Sequence, residues 1–209
     1  MNRGMQVRRL AIEGAFVFTP HVYTDTRGSF VSPFQESAFA RATGHRLFPV
    51  AQTSYSLSRR GVVRGLHYTA TPPGMAKFVH CPQGRALDFI VDLRLGSPTF
   101  GRWESVVLDP YDARAAYLPV GVGHLFAALQ DDTAMSYTLS REYVAENERA
   151  IAPTDPELRL PLPGGVAPVL SERDRAAPTL AEAADAGLLP DYGRCRELDD
   201  ELRSAAGTG

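Results

Sequence analysis

The chain is predicted to fold as an all-β sandwich or barrel, and three observations point there. Over residues 1–160, Gly, Pro or Asp punctuates the sequence at intervals of about 8–12 residues, the spacing expected of short strands joined by turns. The segments between are rich in Val, Phe, Tyr and Leu, which suit a pleated, half-buried surface. In the clearest of them, Arg85–Leu93, Leu87, Phe89, Val91 and Leu93 alternate with Ala86, Asp88, Ile90 and Asp92. One face of that strand is therefore wholly apolar and the other mixed.

Taken in order, the first 20 residues carry the apolar set Val7, Leu10, Ile12, Phe16 and Phe18, more than a free tail should expose. Pro33–Thr43 places Phe34, Ala38 and Arg41 at helical spacing, with Gly44 as its stop. Strands are then expected at Val50–Leu57, Val62–Tyr68, Lys77–Cys81, Arg85–Leu93, Trp103–Leu108, Ala115–Pro119, His124–Leu129 and Met135–Ser140. Turn signals separate them: Pro82-Gln83-Gly84, Gly96-Ser97-Pro98, Asp109-Pro110 and Asp131-Asp132. Residues 153–169 hold seven prolines or glycines and read as a strap across the surface. Thr179–Ala186, with Gly187 after it, reads as a second helix. Helical character is expected over about 178–205, with the charged tail beyond Asp191 fraying toward its SAAGTG end. There is no internal repeat and no low-complexity tract, so residues 1–209 are expected to form one domain with a few short peripheral helices.

Composition narrows the function. Apolar residues make up 44% and charged residues 22% of the 209, values of an ordinary globular protein. The 22 basic and 24 acidic residues give a net charge of -2, which argues against a nucleic-acid or anionic-membrane partner. Apolar runs reach only about five or six residues, far short of the roughly 18 that a membrane-spanning helix needs. The N-terminus starts basic but has neither a long apolar stretch nor a small-residue cleavage site, so no signal peptide is expected. Two cysteines, Cys81 and Cys195, make no disulfide framework and fit inert thiols in a reducing cytoplasm.

The chemistry must come from few residues. Of five histidines (His21, His45, His67, His80 and His124), no two stand as His-x-His, so no metal is expected in the barrel. Acid–base chemistry is the alternative, and one region offers it. Arg64-Gly65-Leu66-His67-Tyr68 ends a strand, and period two puts Arg64, Leu66 and Tyr68 on one face and Gly65 and His67 on the other. Taken alone, a strand-end histidine is by default a half-buried structural residue.

Five further segments are distinctive together: Asp25-Thr26-Arg27-Gly28; Gly61-Val62-Val63-Arg64-Gly65-Leu66-His67-Tyr68; Asp92-Leu93-Arg94-Leu95-Gly96-Ser97-Pro98-Thr99-Phe100-Gly101; Leu118-Pro119-Val120-Gly121-Val122-Gly123-His124-Leu125-Phe126; and Leu170-Ser171-Glu172-Arg173-Asp174-Arg175. In that order and spacing the chain resembles the dTDP-4-dehydrorhamnose 3,5-epimerase family, nucleotide-sugar epimerases that fold as metal-free cupins. The resemblance runs from about Phe16 to Asp174. It implies a double-stranded β-helix jelly-roll barrel, no cofactor, and a homodimer whose N-terminal strands, about residues 1–20, extend to the partner.

The substrate implied is a dTDP-linked 4-keto-6-deoxyhexose. Its C4 ketone acidifies the protons on C3 and C5; removing one gives an enolate, and a proton returned from the opposite face inverts the carbon. The absence of a G-x-G-x-x-G fingerprint agrees with chemistry that needs no redox cofactor. By resemblance, His67 is the base, Asp174 holds its other ring nitrogen, Tyr137 is the proton donor and Lys77 faces the C4 oxygen. Tyr143 and His124 are implied to line the sugar pocket. Arg27, Arg64 and Arg173 are implied to hold the diphosphate or adjoining sugar, and Gln52, Ser54 and Glu148 other parts of the ligand. Three positions depart from the family pattern: Ser32 stands for a glutamate, Ser54 for an asparagine and Thr69 for a glutamine. These departures point to a branch that makes an unusual deoxysugar for a secondary metabolite rather than rhamnose. Three rivals remain at this level: a sugar 3,4-ketoisomerase, a non-catalytic nucleotide-sugar-binding cupin, and a metal-dependent cupin oxygenase. Whether C3 alone or both C3 and C5 invert is left open.

Overall fold

The computed structural model describes residues 4–164 and 167–207. The strands are β1 (Gln6–Arg9), β2 (Phe16–Thr19), β3 (Tyr23–Asp25), β4 (Gly28–Phe30), β5 (Gln52–Ser58), β6 (Val63–Thr69) and β7 (Lys77–Gln83). They continue with β8 (Ala86–Asp92), β9 (Trp103–Leu108), β10 (Ala115–Leu118), β11 (Val122–Ala128), β12 (Thr133–Leu139) and β13 (Glu148–Ala150). The helices are α1 (Glu36–Thr43), α2 (Glu172–Arg175), α3 (Leu180–Asp185) and α4 (Tyr192–Ala206).

Two antiparallel sheets form, one ordered β1-β2-β10-β7-β12-β5 and the other β13-β6-β11-β8-β9; β3 and β4 stand apart as a hairpin. From β5 to β13 the chain changes sheet at every connection except β8–β9, which is the winding of a jelly roll. The eight strands expected over residues 50–140 are all present, with ends displaced by one or two residues. The hairpin and the short β13 carry too little apolar pattern to have been predicted.

The central strand β8 is covered on both faces and has no exposed residue. Between the sheets lie Val17, Val79, Ile90, Leu108, Leu118, Phe126 and Met135. Phe89, Val91 and Leu93, the apolar face read from the sequence, point away from that layer and pack beneath Ile151, Leu158, Leu160, Leu180 and Ala183. On the outer face of the six-stranded sheet, Phe18 stacks on Phe39 of α1 at 5.4 Å, and Tyr117 meets the same ring edge-on at 5.0 Å. The strap is pinned inward: Trp103 Nε1 donates to the Leu158 carbonyl at 2.9 Å, and Asp155 accepts the Leu180 N–H at 2.7 Å. Residues 165 and 166 of the strap lie outside the described residues.

One expectation is corrected. The tail beyond Asp191 does not fray over its length. Asp191 caps α4 by accepting the Arg194 N–H at 2.8 Å, and Cys195 and Leu198 pack into the aromatic cluster with Leu202 behind them. The i, i+3, i+7 apolar stripe outweighs the charged composition that obscured it; the last two residues lie outside the described ones. The N-terminal apolar set packs within its own chain. β2 pairs with β10 of its own chain, and Leu10, Ile12, Phe16 and Phe18 are buried there. No helix among the described residues is long and apolar enough to cross a membrane.

Candidate active site

A cavity of about 360 Å³ opens between the two sheets. It draws Gln52, Ser54 and Ser56 from β5, Arg64 and His67 from β6, Lys77 from β7, His124 and Phe126 from β11, and Tyr137 from β12. Tyr143 and Glu148 complete the wall.

Strict period two fails on β6, and the failure builds the site. His124 of β11 pairs with His67, but Phe126 pairs with Arg64, so β6 carries one extra residue between them. Val63, Leu66 and Tyr68 therefore face the outer core while Arg64 and His67 both face the cavity. This overturns the expectation that Arg64 and His67 lie on opposite faces. Gly65 permits the bulge. It has φ +124°, and a Cβ there would stand 2.6 Å from the His124 carbonyl oxygen and from Leu125 Cα.

His67 Nε2 lies 2.5 Å from Asp174 Oδ1 across 107 residues of sequence. Two devices bring them together. Val169 exchanges backbone bonds with Gly61 and Val63 at 2.9 and 3.0 Å, which lays the chain beside β6. Ser171 then caps α2 by accepting the Asp174 N–H at 3.0 Å, turning the carboxylate toward the ring. The His67 side chain keeps 30% exposure and Asp174 only 3%. Burial pushes the Asp174 carboxyl up, but bonds from His67, Ser171 and the Gly65 N–H outweigh it and hold the group below the usual carboxylate range.

From the facing sheet come the other two candidate catalytic groups. Burial pushes the Tyr137 phenol up to about 12, against the opposing pull of Ser56 and Arg64. Lys77 is buried, and burial lowers its pKa; Glu148 opposes that shift and Arg173 adds to it.

The polar rim is more self-contained than the sequence implied. Gln52 spends both ends of its amide inside the chain: Nε2 donates to Ser54 Oγ and Oε1 accepts the Tyr143 N–H, each at 2.8 Å. Thr69 donates to Glu148 at 2.8 Å, and Arg64 Nε donates to Ser58 at 3.1 Å. Three of the twelve residues singled out do not line the cavity: Asp174, which acts on it through His67, and two arginines. Arg27 pairs with Asp25 on the β3–β4 hairpin, its side chain 88% exposed in a separate hollow. Arg173 is exposed on α2 outside the cavity lining, and its charge is felt at Lys77.

One carboxylate escaped the sequence reading. Asp88 Oδ1 on β8 lies 2.5 Å from His124 Nε2, giving the cavity a second His–Asp pair. The available signal was an Asp inside an otherwise apolar strand buried on both faces. Among the described residues, no three His, Cys, Asp or Glu side chains group as metal ligands.

Geometrically, an imidazole braced by a carboxylate faces a protonated phenol and a buried amine across the gap between two sheets. Such a site can take a proton from one side of a flat substrate and return one from the other. Comparison with known proteins agrees. Residues 9–182 match the family model described as dTDP-4-dehydrorhamnose 3,5-epimerase. The chain is 42% identical over 199 residues to a dTDP-4-dehydrorhamnose 3,5-epimerase of Mycolicibacterium smegmatis, covering 95% of this chain and 98% of that one. It is 46% identical over 194 residues to a dTDP-4-dehydrorhamnose 3-epimerase of Streptomyces niveus, covering 93% of each. Its fold superposes with TM-score 0.88 and 44% identity on ChmJ, a 3'-monoepimerase from Streptomyces bikiniensis solved with dTDP-quinovose, covering 93% of this chain and 98% of that one.

Proposed function

The chain belongs to the dTDP-4-dehydrorhamnose 3,5-epimerase family, and from that premise we propose that it epimerises a dTDP-linked 4-keto-6-deoxyhexose at C3 without a cofactor. One observation carries the reading: His67 and Tyr137 come from opposite sheets of one cavity, so they can address opposite faces of one sugar ring. With Nε2 committed to Asp174, Nδ1 of His67 takes the proton beside the ketone. Asp174 is kept anionic and steadies the imidazolium that forms. The Lys77 ammonium neutralises the developing enolate oxygen at C4, an interaction strengthened by its burial. Tyr137, whose high pKa keeps it protonated, returns a proton to the other face, and exchange with solvent restores both groups.

C5 also neighbours the ketone, so the same groups serve it if the sugar turns in the cavity. Relatives named for C3 alone and for both carbons are similar to this chain to nearly the same degree. The kinship with antibiotic-cluster enzymes, together with Ser32, Ser54 and Thr69 where the family pattern has other residues, supports a role in unusual deoxysugar biosynthesis. The test is incubation with dTDP-4-keto-6-deoxyglucose in D2O, followed by NMR. Deuterium with inversion at C3 is the expected result, and deuterium at C5 as well would extend the reaction to both carbons. A carbonyl moved to C3 would identify a ketoisomerase, and binding without exchange a non-catalytic sugar-binding protein.

We further propose a cytoplasmic homodimer. Two free, buried thiols suit a reducing compartment. An apolar surface that suits a partner lies on the β3–β4 hairpin, at Tyr23 and Phe30, and on the outer face of edge strand β5, at Tyr55 and Leu57. A second copy packed there would bring Arg27, which lies outside the cavity of its own chain, toward a diphosphate in the partner's cavity. A monomeric mass by light scattering at micromolar concentration would refute this.

A further inference from the structure

Asp88 and Asp92 stand four residues apart on the same inward face of β8, and both are fully buried. Asp92 is a satisfied structural anion. It accepts from the Arg94 backbone N–H at 3.0 Å, from Nε and Nη2 of the same arginine at 2.8 Å each, and from the Ser97 and Thr99 hydroxyls at 2.6 and 2.5 Å. Among the described residues Asp88 has a single hydrogen-bond partner, His124, and its Oδ2 is buried with none. A buried carboxylate so poorly served is costly, and an apolar residue of similar shape is commonly neutral or better for folding. Packing therefore does not account for Asp88.

The other side of His124 does. The ring lines the cavity, Tyr137 meets it edge-on at 6.0 Å, and His124 stands directly opposite His67 in the β6–β11 register. With Nε2 taken by Asp88, Nδ1 has no hydrogen-bond partner among the described residues. We propose that Asp88 is a positioning residue for the epimerisation, acting through His124: it holds the Nε2–H tautomer and the ring plane, so that Nδ1 accepts a hydrogen bond from a sugar hydroxyl beside the carbon that His67 deprotonates. This rests on the epimerase reading above. An anionic acceptor at Nε2 requires the proton there and leaves Nδ1 as a bare lone pair, which recognises a hydroxyl donor and not the C4 ketone. Anchoring that hydroxyl orients the adjacent C–H bond toward the base.

The test combines kinetics with nitrogen NMR on protein labelled with 15N-histidine. In the wild type, His124 should show a neutral Nε2–H ring, and Nδ1 should shift on adding dTDP-quinovose. Asp88→Asn should lower kcat about 10–100-fold, the usual range when a buried partner orients a working imidazole, and should blur the tautomer preference. In a double-mutant cycle, adding Asp88→Asn to His124→Gln should cost no more than His124→Gln alone. An additive cycle, or unchanged turnover in a folded Asp88→Asn protein, overturns the proposal. A proton found on Nδ1 of wild-type His124 also overturns it, a result that stands even if Asp88→Asn does not fold. Failure of the wild type to exchange deuterium would instead strike the epimerase reading itself.

Discussion

His67 and His124 face each other across two paired strands, each joined through Nε2 to an aspartate at 2.5 Å, yet the two pairs are built for different tasks. The His67 ring is 30% exposed and that of His124 only 6%. Asp174 comes from a capped helix turn and has several donors, which hold its carboxyl below the usual range. Asp88 sits in the middle of a core strand, where burial pushes its carboxyl up despite the opposing pull of His124. A pair that must take a proton and release it to water needs an anion beside it and an open side. A pair that only orients a substrate needs the carboxylate to fix the tautomer but not the open side, and gains rigidity from being sealed. The same two residue types, at the same distance, are thus separated in role by burial and by the number of donors.

The largest expected effect falls on the open pair. His67→Ala should lower epimerisation by roughly 10²–10⁴-fold or more, with the circular-dichroism spectrum of the barrel unchanged. Near wild-type turnover would make His67 structural and erase the contrast. Gly65→Ala strikes both pairs together, because its methyl would meet the backbone of His124 and Leu125. A loss of about 1–3 kcal/mol in stability, measured by denaturant titration, should accompany a fall in turnover of at least tenfold. A tolerated Gly65→Ala would mean the bulge does not set the geometry.

Tyr137→Phe should separate two rates. Proton abstraction by His67 survives, so deuterium should still enter C3 with retained configuration while inversion falls at least about 10²-fold. If exchange and inversion fall in parallel, Tyr137 is binding the enolate rather than donating to the carbon.

The smallest effect is on stability and should differ in sign between the pairs. Asp174 has a lowered folded pKa, so its carboxylate stabilises the fold above the unfolded value of about 3.9, and that contribution is lost as pH falls through the folded pKa. Asp174→Asn should then lower Tm at pH 7 by about 3 °C, and the difference should vanish in acid. Asp88 has a raised folded pKa, so its protonated form is the stabilising one, and that contribution is lost as pH rises through the folded pKa. Asp88→Asn should leave Tm at pH 7 unchanged or raise it while turnover falls. Equal losses of Tm in both variants would show that the two carboxylates do the same work.

Some of this was open to reading before the fold. The Arg-Gly-Leu-His-Tyr run marked His67, and resemblance supplied Asp174, which no spacing argument could have found. Asp88 was visible as a charge in an apolar strand, but nothing local named its partner. Arg64 and His67 were assigned to opposite faces because a bulge leaves no trace in an alternation pattern. Gln52 was expected to bind ligand, yet neighbours within the chain occupy both ends of its amide. Helical character in the charged C-terminal stretch was expected, but its packing against the core was not, because its apolar stripe is narrow.

The sequence by itself determined the all-β class, the positions of eight strands and the residue types of an acid–base site. These follow from alternation, turn chemistry and side-chain identity, all local properties of the chain. Only the tertiary structure decided which carboxylate braces which imidazole, which pair is sealed, that Arg64 shares the cavity and that Arg27 does not. Each of those depends on strand register, one bulge at Gly65 and contacts across as many as 107 residues. Such contacts form because two sheets bury their faces against each other, and a local pattern does not record them.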